Sequence, residues 1–304
     1  QLLSPEKLSE YGSHREVTSA RTIAGLGRLR IVISDGRGGP CMVCRLIPTN
    51  IPEFDTLGLP SILPDWVSTG TGLILVMGRA GSGKTTTLAS LVQHINNTSE
   101  KSILAVESPP EYVQPHNRSL IENIRPRENG MLPDKTTYSG LLETADIVVM
   151  DGLPFEETIS PALKAAAEGL LVLATLETNG GVAEVLHRII NSVSTTRKRY
   201  RRNLLARTLR GAIWQHLLPL KDGSGFTPAV EVLINDPVIS RLMGQKGDLH
   251  LLRPTMAAAR YKGMQTMRQA LETLKQEATV QEDIMAAFAG EILKYYVSPV
   301  KGSF

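Results

Sequence analysis

The strongest chemical signal in the sequence is a run of eight residues that fits the phosphate-binding pattern G-x-x-x-x-G-K-[ST] without a mismatch. The run consists of Gly78, Arg79, Ala80, Gly81, Ser82, Gly83, Lys84 and Thr85. Its glycines let the backbone wrap closely enough for N–H groups to point at phosphate oxygens. We expect Lys84 to reach the β- and γ-phosphates of ATP and the Thr85 hydroxyl to ligate Mg²⁺.

Hydrolysis of ATP also needs acidic side chains near the metal and near the attacking water. Two apolar runs of the sequence each end in such a residue, Glu107 and Asp151, and Glu111 follows Glu107 four residues later. Each acid by itself also fits an ordinary strand end that faces solvent. Beside the phosphate-binding loop, we expect one of the two to lie near the metal. We assign catalytic roles to Glu107, Asp151 and Lys84, and metal binding to Thr85 and Asp151.

The elements that must position these residues follow an alternation of strands and helices. The predicted strands of this part are 73–77, 102–106, 147–150 and 170–175, and the predicted helices are 85–96 and 157–168. This alternation predicts an α/β fold with a mostly parallel sheet and helices on both faces. Beyond residue 235 the sequence predicts three more helices, 236–243, 264–275 and 281–296.

The first segment of the chain mixes a short polar helix with two strands, 29–33 and 42–47, joined by a turn. Four prolines then predict a linker into a second unit: Pro48, Pro52, Pro60 and Pro64. We therefore divide the chain into an N-terminal domain (1–55), an ATPase core (56–235) and a helical C-terminal part (236–304).

Cys41 and Cys44 form a single C-x-x-C pair on the second of these strands. A structural zinc site needs four ligands, and residues three apart on a strand point to opposite faces. We therefore predict two reduced cysteines in a protein core rather than a metal or redox site.

The net charge of +3 is too small to indicate nucleic-acid binding by itself. One basic cluster, residues 197–202, has the charge to bind a phosphate backbone, acidic lipid or an acidic partner, but we interpret it as the solvated start of a helix. Aromatic residues, which stack on single-stranded bases, make up 5% of the chain. We expect no nucleic-acid partner.

The sequence also bears on membrane insertion and export. No apolar run approaches the length of about 20 residues that a membrane-spanning helix needs, and no signal peptide opens the chain. The first residue is Gln1 rather than Met, so we expect part of the N-terminus to be missing.

Several stretches in a fixed order carry a family resemblance. They are 45–52, 57–60, the phosphate-binding loop with its continuation through Thr85, Thr86 and Thr87, and 263–267. In this order they resemble the secretion ATPases of the type II/type IV pilus superfamily, and within it the PilT/PilU retraction group. The segment 219–254 is more similar to PilU than to PilT.

The resemblance implies a RecA-like P-loop core and a smaller PAS-like α+β domain at the N-terminus, shortened at its start. It implies a homo-hexamer with nucleotide at the seam between subunits. Arg30 and Arg37 lie where the family places arginines that reach the nucleotide, although an exposed sheet surface explains them too. The same resemblance assigns Thr86 to nucleotide binding. The family's members are cytoplasmic, lie against the inner membrane and act on a pilus platform protein during twitching motility.

Three departures from the family pattern concern catalysis. The acidic box reads Glu107-Ser108-Pro109-Pro110-Glu111 and lacks its aspartate. Asp151-Gly152 stands where the family has Gly-Glu, and Glu177 stands where it has a histidine. Loss of one such polar group costs roughly a hundredfold or more in rate. Two interpretations therefore stay open: a slow retraction motor, or a weakly active nucleotide-binding subunit that assembles with an active paralogue.

A pilus-assembly or secretion ATPase of the same superfamily and a nucleic-acid motor are the remaining alternatives. Pilus-assembly and secretion ATPases commonly carry a four-cysteine zinc module, and the two cysteines of this chain cannot build one.

Overall fold

The computed structural model describes residues 3–24, 27–47, 50–107, 111–124, 140–244 and 248–297. Two β-sheets organise these residues, a three-stranded sheet near the N-terminus and a seven-stranded sheet in the main body of the chain.

The N-terminal sheet is an antiparallel meander preceded by one helix. Its elements are α1 (Pro5–His14), β1 (Glu16–Ile23), β2 (Gly27–Gly36) and β3 (Gly39–Ile47), and the strand order is β1-β2-β3. Helix α1 begins where the Ser4 hydroxyl accepts a hydrogen bond from the Lys7 backbone N–H, with Pro5 at the first helical position. The predicted polar helix and both predicted strands are confirmed, and both strands are longer than predicted.

The prediction of core cysteines is wrong. Cys41 and Cys44 lie on a strand as expected, but both thiols are free and exposed. The reason is the position of β3 at the edge of the three-stranded sheet, where every residue of the strand except Ile47 is exposed. Apolar side chains of β3 share this exposure, among them Met42 and Val43.

The seven-stranded sheet confirms the predicted α/β class. Its strands are β4 (Gly72–Gly78), β5 (Ser102–Glu107), β6 (Leu120–Ile124), β7 (Ile147–Asp151), β8 (Leu171–Glu177), β9 (Leu209–Pro219) and β10 (Phe226–Ile234). They lie in the order β10-β9-β4-β8-β7-β5-β6, and every neighbouring pair is parallel except β9 with β10. The central strand β4 is buried along its whole length, which explains its continuous apolar sequence.

Helices cover both faces of this sheet. They are α2 (Ile62–Ser68), α3 (Lys84–Thr98), α4 (Phe155–Ala167), α5 (Val182–Asn191), α6 (Thr195–Thr208), α7 (Pro237–Gly244), α8 (Leu252–Ala258), α9 (Met267–Gln276) and α10 (Glu282–Val297). Short 3₁₀ turns occupy Phe54–Leu57, Asp248–Leu251 and Arg260–Lys262. One hydrophobic core joins α2 and α3 to one face of the sheet, and a second joins α4 to α10 to the other. Alternate residues of each strand supply the two cores.

The prediction of a linker is wrong for the segment that contains Pro60 and Pro64. Pro60 and Pro64 border and enter α2, which packs against the sheet through Leu63, Trp66 and Val67. The Trp66 ring lies where a Cβ on Gly211 of β9 would stand, so only glycine fits there. Pro48 lies outside the described residues.

A buried carboxylate fastens two helices to the sheet. Glu231 on β10 is fully buried, and its two oxygens accept the backbone N–H of Val182 at 2.8 Å and of Met267 at 3.2 Å. These are the first residues of α5 and α9. The unpaired N–H groups and partial positive charge of a helix start compensate a carboxylate in this position.

The basic cluster, residues 197–202, lies near the start of a helix, as predicted. Helix α6 begins at Thr195, and Arg197, Arg199 and Tyr200 in its first turns are exposed. Within the described residues, no helix is both long enough and apolar enough to cross a membrane.

Candidate active site

The phosphate-binding loop connects the end of β4 to the start of α3, as the sequence predicts. Gly81 and Gly83 have φ values of 76° and 87°, which favour glycine over other residues. Gly78 is buried, and a Cβ at this position would collide with the Ser82 hydroxyl and with the Gln215 backbone oxygen. At each of the three glycines of the loop, backbone conformation or steric overlap therefore disfavours any other residue.

Lys84 is the first residue of α3 and folds back over the loop. Its Nζ donates a hydrogen bond to the Arg79 backbone oxygen at 2.8 Å. Burial lowers the pKa of Lys84, and the nearby carboxylates of Glu177, Asp151 and Glu111 oppose that shift. A partly desolvated ammonium at a helix start is a strong point of attraction for phosphate.

Two further observations show that the loop fits a phosphate. The Ser82 hydroxyl is buried and has no hydrogen-bond partner among the described residues. Ala80 and Gly81 at the tip are exposed, so the concave side of the loop is accessible to solvent. A phosphate group would satisfy the Ser82 hydroxyl and the backbone N–H groups that begin α3.

Gln215 is a functional residue that the sequence reasoning missed. It lies buried on β9, where its Nε2 donates to the Ser82 backbone oxygen at 2.7 Å and its Oε1 accepts from the Thr87 hydroxyl at 3.1 Å. One side chain therefore holds the loop and the first turn of α3 together. A polar pair, Gln215-His216, inside an otherwise apolar strand was the available signal.

The two predicted metal-binding residues lie together. Asp151 ends β7, is buried, and accepts a hydrogen bond from the Thr175 hydroxyl at 2.5 Å. Burial raises its pKa, and hydrogen bonds from Thr175 and Thr85 oppose the shift. A carboxylate beside a threonine hydroxyl at a phosphate loop offers the hard oxygen atoms that Mg²⁺ prefers.

Glu107 lies beside Asp151, as the last residue of β5 and in register with it. Burial raises the pKa of Glu107 to about 8, and the neighbouring carboxylates of Asp151 and Glu111 add to this effect, while Arg28 opposes it. At pH 7 this side chain is therefore mostly protonated. The structure thus brings Glu107 to the site but in its neutral form.

The two predicted arginines lie in different places. Arg30 on β2 forms an ion pair with Glu111, with 2.7 Å between Nη1 and Oε1. Arg37 lies exposed at the turn after β2, seven residues further along the chain, a separation of roughly 20 Å in an extended strand. Of the two, the structure brings only Arg30 to the acidic side chains. Thr86 contacts the same segment, because its hydroxyl lies 3.1 Å from the Tyr112 hydroxyl.

The last helix also reaches the loop. Arg79 forms an ion pair with Glu291 on α10, and the ring of Phe288 on the same helix packs on His216 with 4.7 Å between ring centroids. Burial lowers the pKa of His216 to about 4, and Arg79 adds to this effect. The C-terminal helix is therefore in direct contact with the phosphate-binding loop.

A phosphate loop between a buried central strand and a helix, with acidic residues at the ends of the neighbouring parallel strands, defines a RecA-like P-loop ATPase core. The family model described as "Type II/IV secretion system protein" matches residues 32–297. The chain therefore belongs to the type II/IV secretion system protein family and is an ATPase of that family.

Two relatives and one solved structure show where in the family the similarity lies. A twitching motility protein of Neisseria gonorrhoeae is 31% identical over 270 residues, covering 89% of this chain and 72% of the relative. The type IV pilus ATPase PilU of Pseudomonas aeruginosa is 32% identical over 289 residues, covering 94% and 74%. The crystal structure of the pilus retraction motor PilT with bound ADP superposes with a TM-score of 0.81 at 30% identity, covering 94% of this chain and 80% of that one.

Proposed function

We propose that this chain is an ATP-driven motor of type IV pilus retraction, working as a hexamer on a membrane-embedded platform protein. The observation that carries the proposal is the complete phosphate cradle around Lys84 in a chain similar to PilT and PilU. The motor would be cytoplasmic and held at the inner membrane by its partners.

The residues have separate tasks in this proposal. The loop from Gly78 to Thr86 and the start of α3 bind the phosphates of ATP, and Lys84 neutralises charge on the β- and γ-phosphates. Thr85 and Asp151 would hold Mg²⁺, which would supply positive charge to neutralise the phosphates. Gln215 keeps the loop and α3 in register while nucleotide binds.

Arg30 offers a link between nucleotide and the N-terminal sheet. Its ion pair with Glu111 already joins β2 to the acidic segment of the core. A phosphate group competes with Glu111 for the guanidinium, because both are anionic acceptors that suit arginine. Exchange of this partner would move the N-terminal sheet against the core as nucleotide binds and leaves. Arg37, on the exposed turn, would approach the nucleotide of a neighbouring subunit.

A second function, a weakly active ATP-binding subunit that assembles with an active retraction ATPase, also has an observation in its favour. Glu107 is mostly protonated at neutral pH, and Gly152 supplies no side chain beside Asp151. Both features leave nucleotide binding unaffected and reduce the number of bases near the γ-phosphate.

Steady-state phosphate release with Mg-ATP separates the two functions. We expect the wild type to turn over, and Lys84→Ala to lose at least about a hundredfold in rate and to bind ADP more weakly, because its charge on the phosphates is lost. Lys164→Ala is the matched control, since Lys164 is exposed on α4 and pairs with Glu168. A wild type that binds ADP but releases no phosphate above the Lys84→Ala background would contradict the motor and support the accessory subunit.

A further inference from the structure

Three strands of the seven-stranded sheet end in a carboxylate at one edge. Glu107 ends β5, Asp151 ends β7 and Glu177 ends β8. These strands run parallel to β4, so their carboxyl ends meet at the edge where the phosphate-binding loop leaves the sheet.

The three carboxylates also share one face of the sheet. Glu107 and Asp151 lie opposite each other in register, and Asp151 accepts its hydrogen bond from Thr175 on β8. Glu177 is two residues beyond Thr175, so its side chain leaves β8 on the same face. This is the face that α3 covers.

Of the three, Glu177 belongs to the strand beside the loop. Strand β8 lies between β4 and β7, and Glu177 is in register with Gly78, the first glycine of the loop. The backbone N–H of Thr178 donates to the Gly78 oxygen at 3.1 Å, which fixes this end of β8 to the loop. Among the charges that act on Lys84, that of Glu177 has the largest effect.

The other two carboxylates are poorly suited to accept a proton from water. Glu107 ends β5, which lies two strands further from β4 than β8 does. Asp151 is buried and already accepts hydrogen bonds from two threonine hydroxyls. Glu177 is exposed at the strand end and accepts no hydrogen bond from any described residue, so its oxygens are free to bind water.

We propose that Glu177 is the general base that orients and deprotonates the water attacking ATP; this role depends on the proposed ATPase function. The water oxygen forms a bond to the γ-phosphorus while the bond from that phosphorus to the β–γ bridging oxygen breaks. The electron pair of the broken bond leaves with ADP. The proton of the water passes to the Glu177 carboxylate and from there to solvent.

The test compares the purified wild-type chain with Glu177→Gln and Glu177→Asp in phosphate release and in binding of fluorescent ADP. We expect Glu177→Gln to lower kcat by about a hundredfold or more, with KM for Mg-ATP and the Kd for ADP changed less than about twofold. Glu177→Asp should retain part of the rate, because it keeps a carboxylate with a shorter reach. Thermal unfolding checks that all variants fold.

Two results would overturn the role of Glu177 while leaving the ATPase function intact. One is a Glu177→Gln rate within about threefold of wild type. The other is a faster rate of Glu177→Gln with tighter ADP binding, which identifies Glu177 as a repulsive charge only. A wild type that releases no phosphate above Lys84→Ala would overturn the ATPase function itself and the base with it.

Discussion

The active site has two halves that differ in how they are built. The loop half comprises the end of β4, the loop through Thr85, and Gln215. Its glycines have identifiable steric reasons, and hydrogen bonds from Lys84 and Gln215 hold it in shape. The acidic half comprises Glu107, Asp151 and Glu177 at neighbouring strand ends. Here carboxylates lie close together, and burial raises the pKa of two of them.

In the proposed mechanism, phosphate binding and water activation therefore depend on different parts of the chain. The loop half depends mainly on backbone geometry, which a short local motif specifies. The acidic half depends on side chains from strands that are distant in sequence, and burial raises the pKa of Glu107 and Asp151 there. Substitutions in the two halves should therefore change different observables.

The largest effect should follow from Gly83→Ala, which tests the loop half. Gly83 has a φ of 87°, and its Cβ would lie 3.1 Å from the Gln215 amide nitrogen. We expect stability to fall by about 1–2 kcal/mol from the backbone strain alone, and ADP binding to be lost as the loop shifts. Denaturant unfolding and binding of fluorescent ADP measure the two effects.

Gly169→Ala is the matched control for that substitution. Gly169 also has a positive φ, 102°, but no atom lies within 4 Å of its added Cβ. It should lose comparable stability and keep ADP binding. Equal loss of binding in both variants would show that the loop half has no special dependence on backbone geometry.

A pH-dependent effect on stability should follow from Glu107→Gln in the acidic half. The pKa of Glu107 is about 8 in the folded protein and ordinary in the unfolded chain. The stabilisation from its bound proton is therefore complete below about pH 4.5 and is lost as pH rises through about 8. Glutamine does not ionise. The free energy of unfolding of the variant, relative to that of the wild type, should therefore increase with rising pH by an amount on the order of a few kcal/mol.

Unfolding midpoints of wild type and Glu107→Gln at pH 5 and pH 8.5 measure this gain. Glu100→Gln removes an equal charge from an exposed side chain and is the control. A difference between wild type and Glu107→Gln that stays constant between the two pH values would contradict the raised pKa.

The smallest effect on stability should follow from Arg30→Ala, which tests the connection between the N-terminal sheet and the acidic half. The Arg30 side chain is about one-third exposed in its ion pair with Glu111, so we expect the free energy of unfolding to fall by less than about 1 kcal/mol. If Arg30 exchanges Glu111 for phosphate, the ATP affinity of Arg30→Ala should also fall severalfold. Arg37→Ala, on the exposed turn, should leave both quantities unchanged in the monomer.

The sequence predicted the loop half well and the acidic half incompletely. The Gly78 to Thr85 motif, the flanking strand and helix, and the pairing of Thr85 with Asp151 are local or depend on parallel strand ends, so they are accessible to pattern reasoning. Gln215 was missed because its role depends on β9 lying beside β4, a contact between distant segments. The raised pKa of Glu107 likewise depends on its burial and, to a smaller extent, on Asp151 and Glu111, and the sequence motif gives neither the burial nor the distances.

The N-terminal region shows the same limit. The two strands were predicted from their residues, but the exposure of Cys41 and Cys44 depends on which strand lies at the sheet edge. Alternating apolar residues indicate a strand, and they do not reveal which neighbours cover it. The PAS-like assignment and the domain boundaries stay predictions.

The ion pair between Arg79 and Glu291 has a consequence for the synthesis of this protein. The two residues are 212 positions apart, with the loop made first. At a translation rate of about 5–20 residues per second, Arg79 is synthesised roughly 10 to 40 seconds before its partner Glu291. Throughout that interval α10 is absent, and Arg79 lacks its ion pair with that helix. The contacts that join the loop and β9 to α10 therefore form only after α10 has been translated.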